Sequence, residues 1–249
     1  MDISRILRYN DNYDTKELIT INKVIFWDFD GTLVYSHHLW SGTLLKTLQL
    51  YTEDNKVTLE QIRPPMAYGF SWDTPDEDFT QTTGEKWWEF TLEHIRDVYK
   101  AVGLSDGDAE RLLPLFRSTI LERENFRIYP DAFDTLSQLR EQGYRHYMVS
   151  NNFPELTDIC HDLGFDRCFD GYIVSAQVGY DKPRREIFQL AYDMAGAPDE
   201  CFMVGDNPRS DIKGALNFGI KAVLVHNDND MGYSCVKCGS LSEILYKNI

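Results

Sequence analysis

Short apolar runs alternate with longer amphipathic ones over the second half of the chain. A first such run stands alone near the start. Lys23 to Phe29 (KVIFWDF) is compact and β-rich and is followed by Asp-Gly, the pattern of a strand buried on both faces. Four more brief runs follow late: Tyr144 to Ser150, Gly171 to Val174, Cys201 to Gly205 and Ile220 to His226. Helical segments separate them. Pro130 to Gly143, Pro154 to Gly164 and Pro183 to Gly196 each begin at proline and stop at glycine, and a fourth from Arg209 stops at Gly219. Strands alternating with helices predict an α/β fold, a Rossmann-like parallel sheet covered on both faces.

Between Tyr35 and Phe126 the period changes and no convincing strand appears. Thr58 with Gln61 resembles a capping box. Gly84 to Ala101 places Trp88, Leu92, Ile95 and Tyr99 at helical spacing, continued by Val102, and Asp106 to Arg123 does so with Leu112, Leu115, Phe116, Thr119 and Ile120. The spacing predicts an all-helical insert over 36–125, set into a core formed by 1–35 and 126–249. Trp87 and Trp88 read as packing between insert helices. Tyr68 to Trp72 (YGFSW) is different: Gly69 and the following Pro75 argue against a regular helix. Its aromatics are either buried anchors or, because the segment lies mid-insert, part of substrate selection, with Trp72 the candidate.

Composition narrows the function. The chain has 249 residues, 43% of them hydrophobic and 13% aromatic, enough for a sizeable core, so disorder is a poor reading. A formal charge of -15 argues against binding nucleic acid or an anionic membrane, since both need clustered Lys and Arg. No apolar run approaches the roughly 20 residues of a membrane span, and the polar stretch MDISRILRYNDNYDTKELIT lacks the apolar centre of a signal peptide. Five cysteines, an odd number, do not form a disulfide framework, which makes a reduced, cytoplasmic setting the default. Oligomeric state is not readable.

Chemistry-bearing residues gather at the predicted strand ends, where open parallel sheets bind ligands. Asp28-Phe29-Asp30-Gly31-Thr32 closes the first strand. Two carboxylates at one spot are costly without a cation, and hard oxygen donors suggest Mg²⁺. Ser150-Asn151-Asn152 ends the second strand and offers a hydroxyl and free backbone amides to a phosphoryl oxygen. Lys182 precedes the helix begun by Pro183, where it could neutralise a nucleophile–phosphate pair. Asp206 ends the fourth strand and Asp211 follows at a helix head, as a metal-site acid, an N-cap, or both. Some residues carry less. His37 and His38 are neighbours, which on a helix do not face each other. Cys235 and Cys238 form one CxxC with no second pair, so a plain C-terminal loop is preferred over zinc. Asp73, Asp76, Glu77 and Asp78 read as a solvated loop.

Taken in order, WDFDGTLV, VSNN, DKPRREIF and GDNPRSD resemble the four motifs of the haloacid dehalogenase superfamily. The helical insert resembles its C1-type cap. The resemblance implies a Mg²⁺-dependent phosphatase of small phosphorylated metabolites. Asp28 would be the nucleophile that forms an aspartyl-phosphate, and Asp30 the general acid and then base. Thr32, Ser150, Asn151 and Lys182 would serve the phosphoryl group, Thr32 by steadying Asp30. Asp28, Asp30 (through its carbonyl) and Asp206 would hold the metal, with Asp211 supporting them. Dehalogenases of the superfamily lack the acid at the Asp30 position, so its presence favours a phosphatase. A sugar phosphomutase, or a binding protein on the same fold, are the alternatives. Relatives commonly read DGTLxDS; Tyr35 stands here in place of the second Asp, which implies an altered cap hinge or substrate entrance.

Overall fold

The computed structural model describes residues 5–7 and 18–247. Most of the polar stretch weighed against a signal peptide lies outside the described residues. Within them, β1 (Arg5–Leu7) and β2 (Leu18–Thr20) pair antiparallel.

The molecule is organised by β3 (Lys23–Trp27). Its residues alternate between two apolar layers. Ile25 and Trp27 belong to one buried cluster with Leu136, Leu139 and Phe153; Val24 and Phe26 belong to the other with Ile187, Phe188 and Ala215. Helices on both faces are what this uninterrupted apolar run requires. The chain then makes β4 (Val34–Tyr35), four helices α1 (Leu39–Tyr51), α2 (Leu59–Met66), α3 (Glu85–Ala101) and α4 (Asp106–Ile120), and β5 (Arg127–Ile128), which pairs antiparallel with β4. This small strand pair joins the helical insert to the sheet at both its ends. Four parallel strands after it, β6 (Tyr144–Ser150), β7 (Gly171–Val174), β8 (Glu200–Gly205) and β9 (Lys221–Val225), are those the apolar runs predict. Helices α5 (Ala132–Glu141), α6 (Leu156–Asp162), α7 (Ser175–Val178), α8 (Arg185–Met194) and α9 (Gly214–Phe218) connect them.

A sixth parallel strand, β10 (Val236–Cys238), extends the sheet at β9, so the order is β10-β9-β8-β3-β6-β7. The plain loop expected around Cys235 and Cys238 is therefore corrected: Cys238 is buried in an edge strand, and both thiols are free. β3 lies between β6 and β8, with Trp27 in register with Met148 on one side and Val204 on the other. The chain winds outward from β3 in one direction and then crosses to its other side. The crevice at such a reversal, beyond the strands' C-terminal ends, is the ligand position in open α/β sheets. Among the described residues no helix is long and apolar enough to cross a membrane.

Candidate active site

Asp28 leaves the end of β3 with its backbone N–H donating to the Val204 carbonyl at 2.9 Å, which fixes it between β6 and β8. Two donors converge on its Oδ1. The Ser150 hydroxyl donates at 2.8 Å and the Lys182 ammonium lies at 2.9 Å. Lys182 is 1% exposed, and its Nζ also pairs with the buried carboxylate of Asp211. Burial alone would lower the lysine's pKa, but Asp211 and Asp28 outweigh it and the net direction is upward, toward the charged form. Asp211 accepts in addition from the Asn207 N–H at 3.0 Å, so protein donors engage both its oxygens.

Two glycines make this closeness possible. A Cβ on Gly205 would lie 2.1 Å from Asp211 Oδ2, and one on Gly31, whose φ is +83°, would lie 2.3 Å from Asp206 Oδ2. The carboxylates of Asp28, Asp206 and Asp211 thereby offer oxygens all within 4.8 Å of one another. Burial, then repulsion from Asp28 and Asp211, pushes Asp206 up to about 8. With Asp30 included, four carboxyl groups converge where, among the described residues, Lys182 is the one cation of the cluster. This deficit of positive charge and the hard oxygen donors fit a divalent cation such as Mg²⁺.

Asp30 is half-buried one turn away. The reversal Gly31 to Val34, closed by the Gly31 N–H on the Val34 carbonyl at 2.7 Å, carries it to the crevice rim. Burial first, and then the Asp28 carboxylate, raise it to about 6 against the lowering hydrogen bond from Ser36, whose hydroxyl lies 3.2 Å from its Oδ1. Ser36 is a residue the sequence reading missed. Thr32 is buried, and its Oγ1 has no hydrogen-bond partner. The Asn151 side chain is engaged: its Oδ1 accepts from the Lys182 N–H at 2.7 Å and its Nδ2 donates to the Lys182 carbonyl at 2.9 Å. Asn207, not Asp211, caps the π-helical turn Pro208–Lys213, accepting from the N–H groups of Arg209 and Ser210.

Asp28, Asp30, Ser150, Asn151, Lys182 and Asp206 share one cavity of about 300 Å³. Its remaining walls include Leu39, Trp40 and Trp72 from the insert, and Phe153 from the core. Trp72 sits in a short 3₁₀ turn, Ser71–Asp73, stacked on Phe70 with ring centroids 4.6 Å apart. Tyr35 is not among the residues lining the cavity; it ends β4, paired with Arg127 of β5, and packs on Tyr129 and His37. Trp87 and Trp88 are buried, as packing residues are.

The sequence profile of haloacid dehalogenase-like hydrolases matches residues 22–219. The chain belongs to this family of hydrolases, and its parallel α/β fold is the family's. A phosphoserine phosphatase of Thermus thermophilus is 33% identical over 128 residues, 51% of this chain and 51% of that protein, so the match spans about half of that relative's length. The pyrophosphatase PpaX of Bacillus mycoides is 27% identical over 82% of this chain and 83% of its own. Among solved structures, the HAD-hydrolase YfnB of Bacillus subtilis, bound to magnesium, superposes with a TM-score of 0.65 at 21% identity, covering 90% of this chain and 97% of that one.

Proposed function

We propose that the protein is a Mg²⁺-dependent phosphatase that hydrolyses small phosphate monoesters through an aspartyl-phosphate on Asp28. The observation that carries this reading is the convergence of the Ser150 hydroxyl and the Lys182 ammonium on one oxygen of Asp28. Donors placed there meet the charge that develops on a phosphoryl group held against that carboxylate. The phosphatase names of the two sequence relatives support it.

In this reading Asp28 attacks phosphorus, and Asp30 gives its proton to the departing alcohol. A carboxyl raised to about 6 carries a proton over more of the working range than an ordinary aspartate does. Asp30, now ionised, then takes a proton from the water that hydrolyses the acyl-phosphate. Ser150 and Lys182 hold the phosphoryl oxygens, Asn151 steadies Lys182, and Ser36 orients Asp30. Asp28, Asp206 and the Asp30 carbonyl would hold Mg²⁺, and Asp211 supports the site through Lys182 and Asn207. The cation, when bound, would neutralise charge between the carboxylates and the phosphoryl group. Residues 36–125 form the cap in this assignment, and the odd number of cysteines supports a cytoplasmic setting.

The test is turnover of p-nitrophenyl phosphate by the purified protein. The expected result is Mg²⁺-dependent release of phosphate, abolished by EDTA and restored by Mg²⁺. Turnover unchanged by EDTA would reject the metal. Conversion of a sugar 1-phosphate to a sugar 6-phosphate without net phosphate release would replace the reading with a phosphomutase.

A further inference from the structure

The walls of the cavity differ in kind. The carboxylates, Ser150 and Lys182 would take the phosphoryl group; much of what is left for the rest of an ester is Leu39, Trp40, Trp72 and Phe153. From these walls we infer that the leaving group is a neutral alcohol with an apolar or planar face, and that esters bearing a second anion are poor substrates. The inference rests on the phosphatase reading for the phosphoryl end and on the walls for the other end.

Charge makes the first argument. Among the described residues that line the cavity, Lys182 is the one cation, and two carboxylates already engage it. Lys46 and Arg63, cations of the insert, line two other clefts beside Leu39. Lys46 is paired there with Glu122, Arg63 donates to the His38 ring, and Arg127 shares the cleft of Lys46; none of the three lines this cavity. A carboxylate or second phosphate on the substrate would lie between indole rings and aspartates with nothing to pair it, and an unpaired charge out of water is costly.

Shape makes the second. Trp72 is backed by Phe70, with ring planes 9° apart, and Trp40 lies 5.8 Å from Trp72 at 57°. Trp40 is held in turn by Phe70 at 4.6 Å and Phe116 at 6.2 Å. Aromatic walls fixed in this way present a preformed surface to a flat or apolar group. The neutral polar residues Asn207 and Ser210, also in the lining, suit hydroxyl or ether oxygens. A volume of about 300 Å³ stands at the small end for ligand sites, which fits a monoester of one ring.

Two assays on the Mg²⁺-loaded protein test this separately from the phosphatase reading. In the first, kcat/KM is compared for benzyl phosphate, 2-phosphoglycolate, phosphoserine and pyrophosphate. In the second, quenching of tryptophan fluorescence compares the unreactive benzylphosphonate with phosphonoacetate. Benzyl phosphate should exceed each anionic substrate by roughly tenfold or more. Benzylphosphonate should bind correspondingly tighter, and Trp72→Ala should erase most of both margins without a large fall in Tm. Turnover that favours phosphoglycolate, phosphoserine or pyrophosphate overturns the inference and leaves the phosphatase standing. Tight benzylphosphonate binding with no turnover of any ester removes the phosphatase and keeps the pocket's preference. Equal binding of the two phosphonates, or margins that Trp72→Ala leaves intact, overturns the inference.

Discussion

The side-chain amide of Asn151 and the backbone of Lys182 pair in both directions, at 2.7 Å and 2.9 Å, as two strands of a sheet would. Asn151 follows the last residue of β6, while Lys182 lies 31 residues later in the loop before α8. Through this pair the sheet dictates where the lysine's main chain lies. The rest of the side chain then follows, buried, to Asp28 and Asp211.

Asn151→Ala should therefore lower kcat by roughly 10²-fold, because a small displacement of a charge-bearing group is magnified at the reacting centre. The KM for p-nitrophenyl phosphate should change less. Steady-state kinetics beside a thermal melt check this. Loss of activity in proportion to loss of folded protein would make Asn151 purely a stabilising residue.

Asp28 and Asp30 should separate cleanly. Asp28→Asn cannot form a bond to phosphorus, so rapid-quench labelling should find no phosphoenzyme and turnover should fall to background. Asp30→Asn keeps the nucleophile. With p-nitrophenyl phosphate, whose leaving group needs little help from an acid, it should give a stoichiometric burst of nitrophenolate and a phosphoenzyme that hydrolyses slowly. A burst from Asp28→Asn would assign the nucleophile elsewhere.

Much of this arrangement is legible in the sequence because its residues sit at strand ends that the apolar runs mark. Asp28, Ser150, Lys182, Asp206 and Asp211 are read from their positions together with the resemblance of their four motifs taken in order, and they converge in the structure. Other features depend on contacts that spacing does not encode. The Asn151 clamp needs a partner 31 residues away, and the Ser36 contact with Asp30 needs the Gly31 turn to bring them together. The helix α1 escaped because buried Ser41, Thr43 and Thr47 interrupt its apolar stripe, and because His38, at its N-terminus, makes no side-chain cap. The edge strand β10 is three residues long with an exposed Lys237 in the middle, too brief for its alternation to register.

Metal and pH should act on one site with opposed signs. Without a cation, Asp206 holds its proton up to about pH 8, whereas in the unfolded chain it loses it near its ordinary 3.8. Over that window the folded state binds more protons, so this group makes the metal-free protein less stable as pH rises. Mg²⁺ favours the ionised form, so the stabilisation it supplies should grow with pH across the same window. The rise in Tm on adding Mg²⁺ should be larger near pH 8 than near pH 5.5. Asp206→Asn should abolish most of the rise, and at pH 8 it should melt above the metal-free wild type. An equal Mg²⁺ effect at both pH values would place the metal away from Asp206.

His146 should produce the opposite slope, from the core rather than the site. It is fully buried on β6. Its Nδ1 accepts from the Trp27 indole N–H at 3.0 Å, which leaves Nε2 to carry the proton toward the Leu136 carbonyl, also at 3.0 Å. The neutral ring thus satisfies both partners, and a second proton would face the indole N–H. Burial first, and then Arg140, hold it down to about 4 from the ordinary 6.5. In the unfolded chain the ring takes up its proton below 6.5, while the folded state resists until about 4. The stability that this difference contributes is therefore complete above 6.5 and is lost as pH falls toward 4. A gap of that size corresponds to roughly 3 kcal/mol. Denaturant melts of the metal-free protein at several pH values between 7 and 4, with wild type beside His146→Gln, isolate it, since Asp206 and Asp30 titrate in both proteins and cancel in the comparison. The variant should be less stable at pH 7, because glutamine replaces the ring's two hydrogen bonds imperfectly, and the gap should narrow by most of that amount as pH approaches 4. A constant gap would mean that His146 gains its proton in the folded state as readily as in the unfolded one, and that the bond from Trp27 does not fix its neutral form.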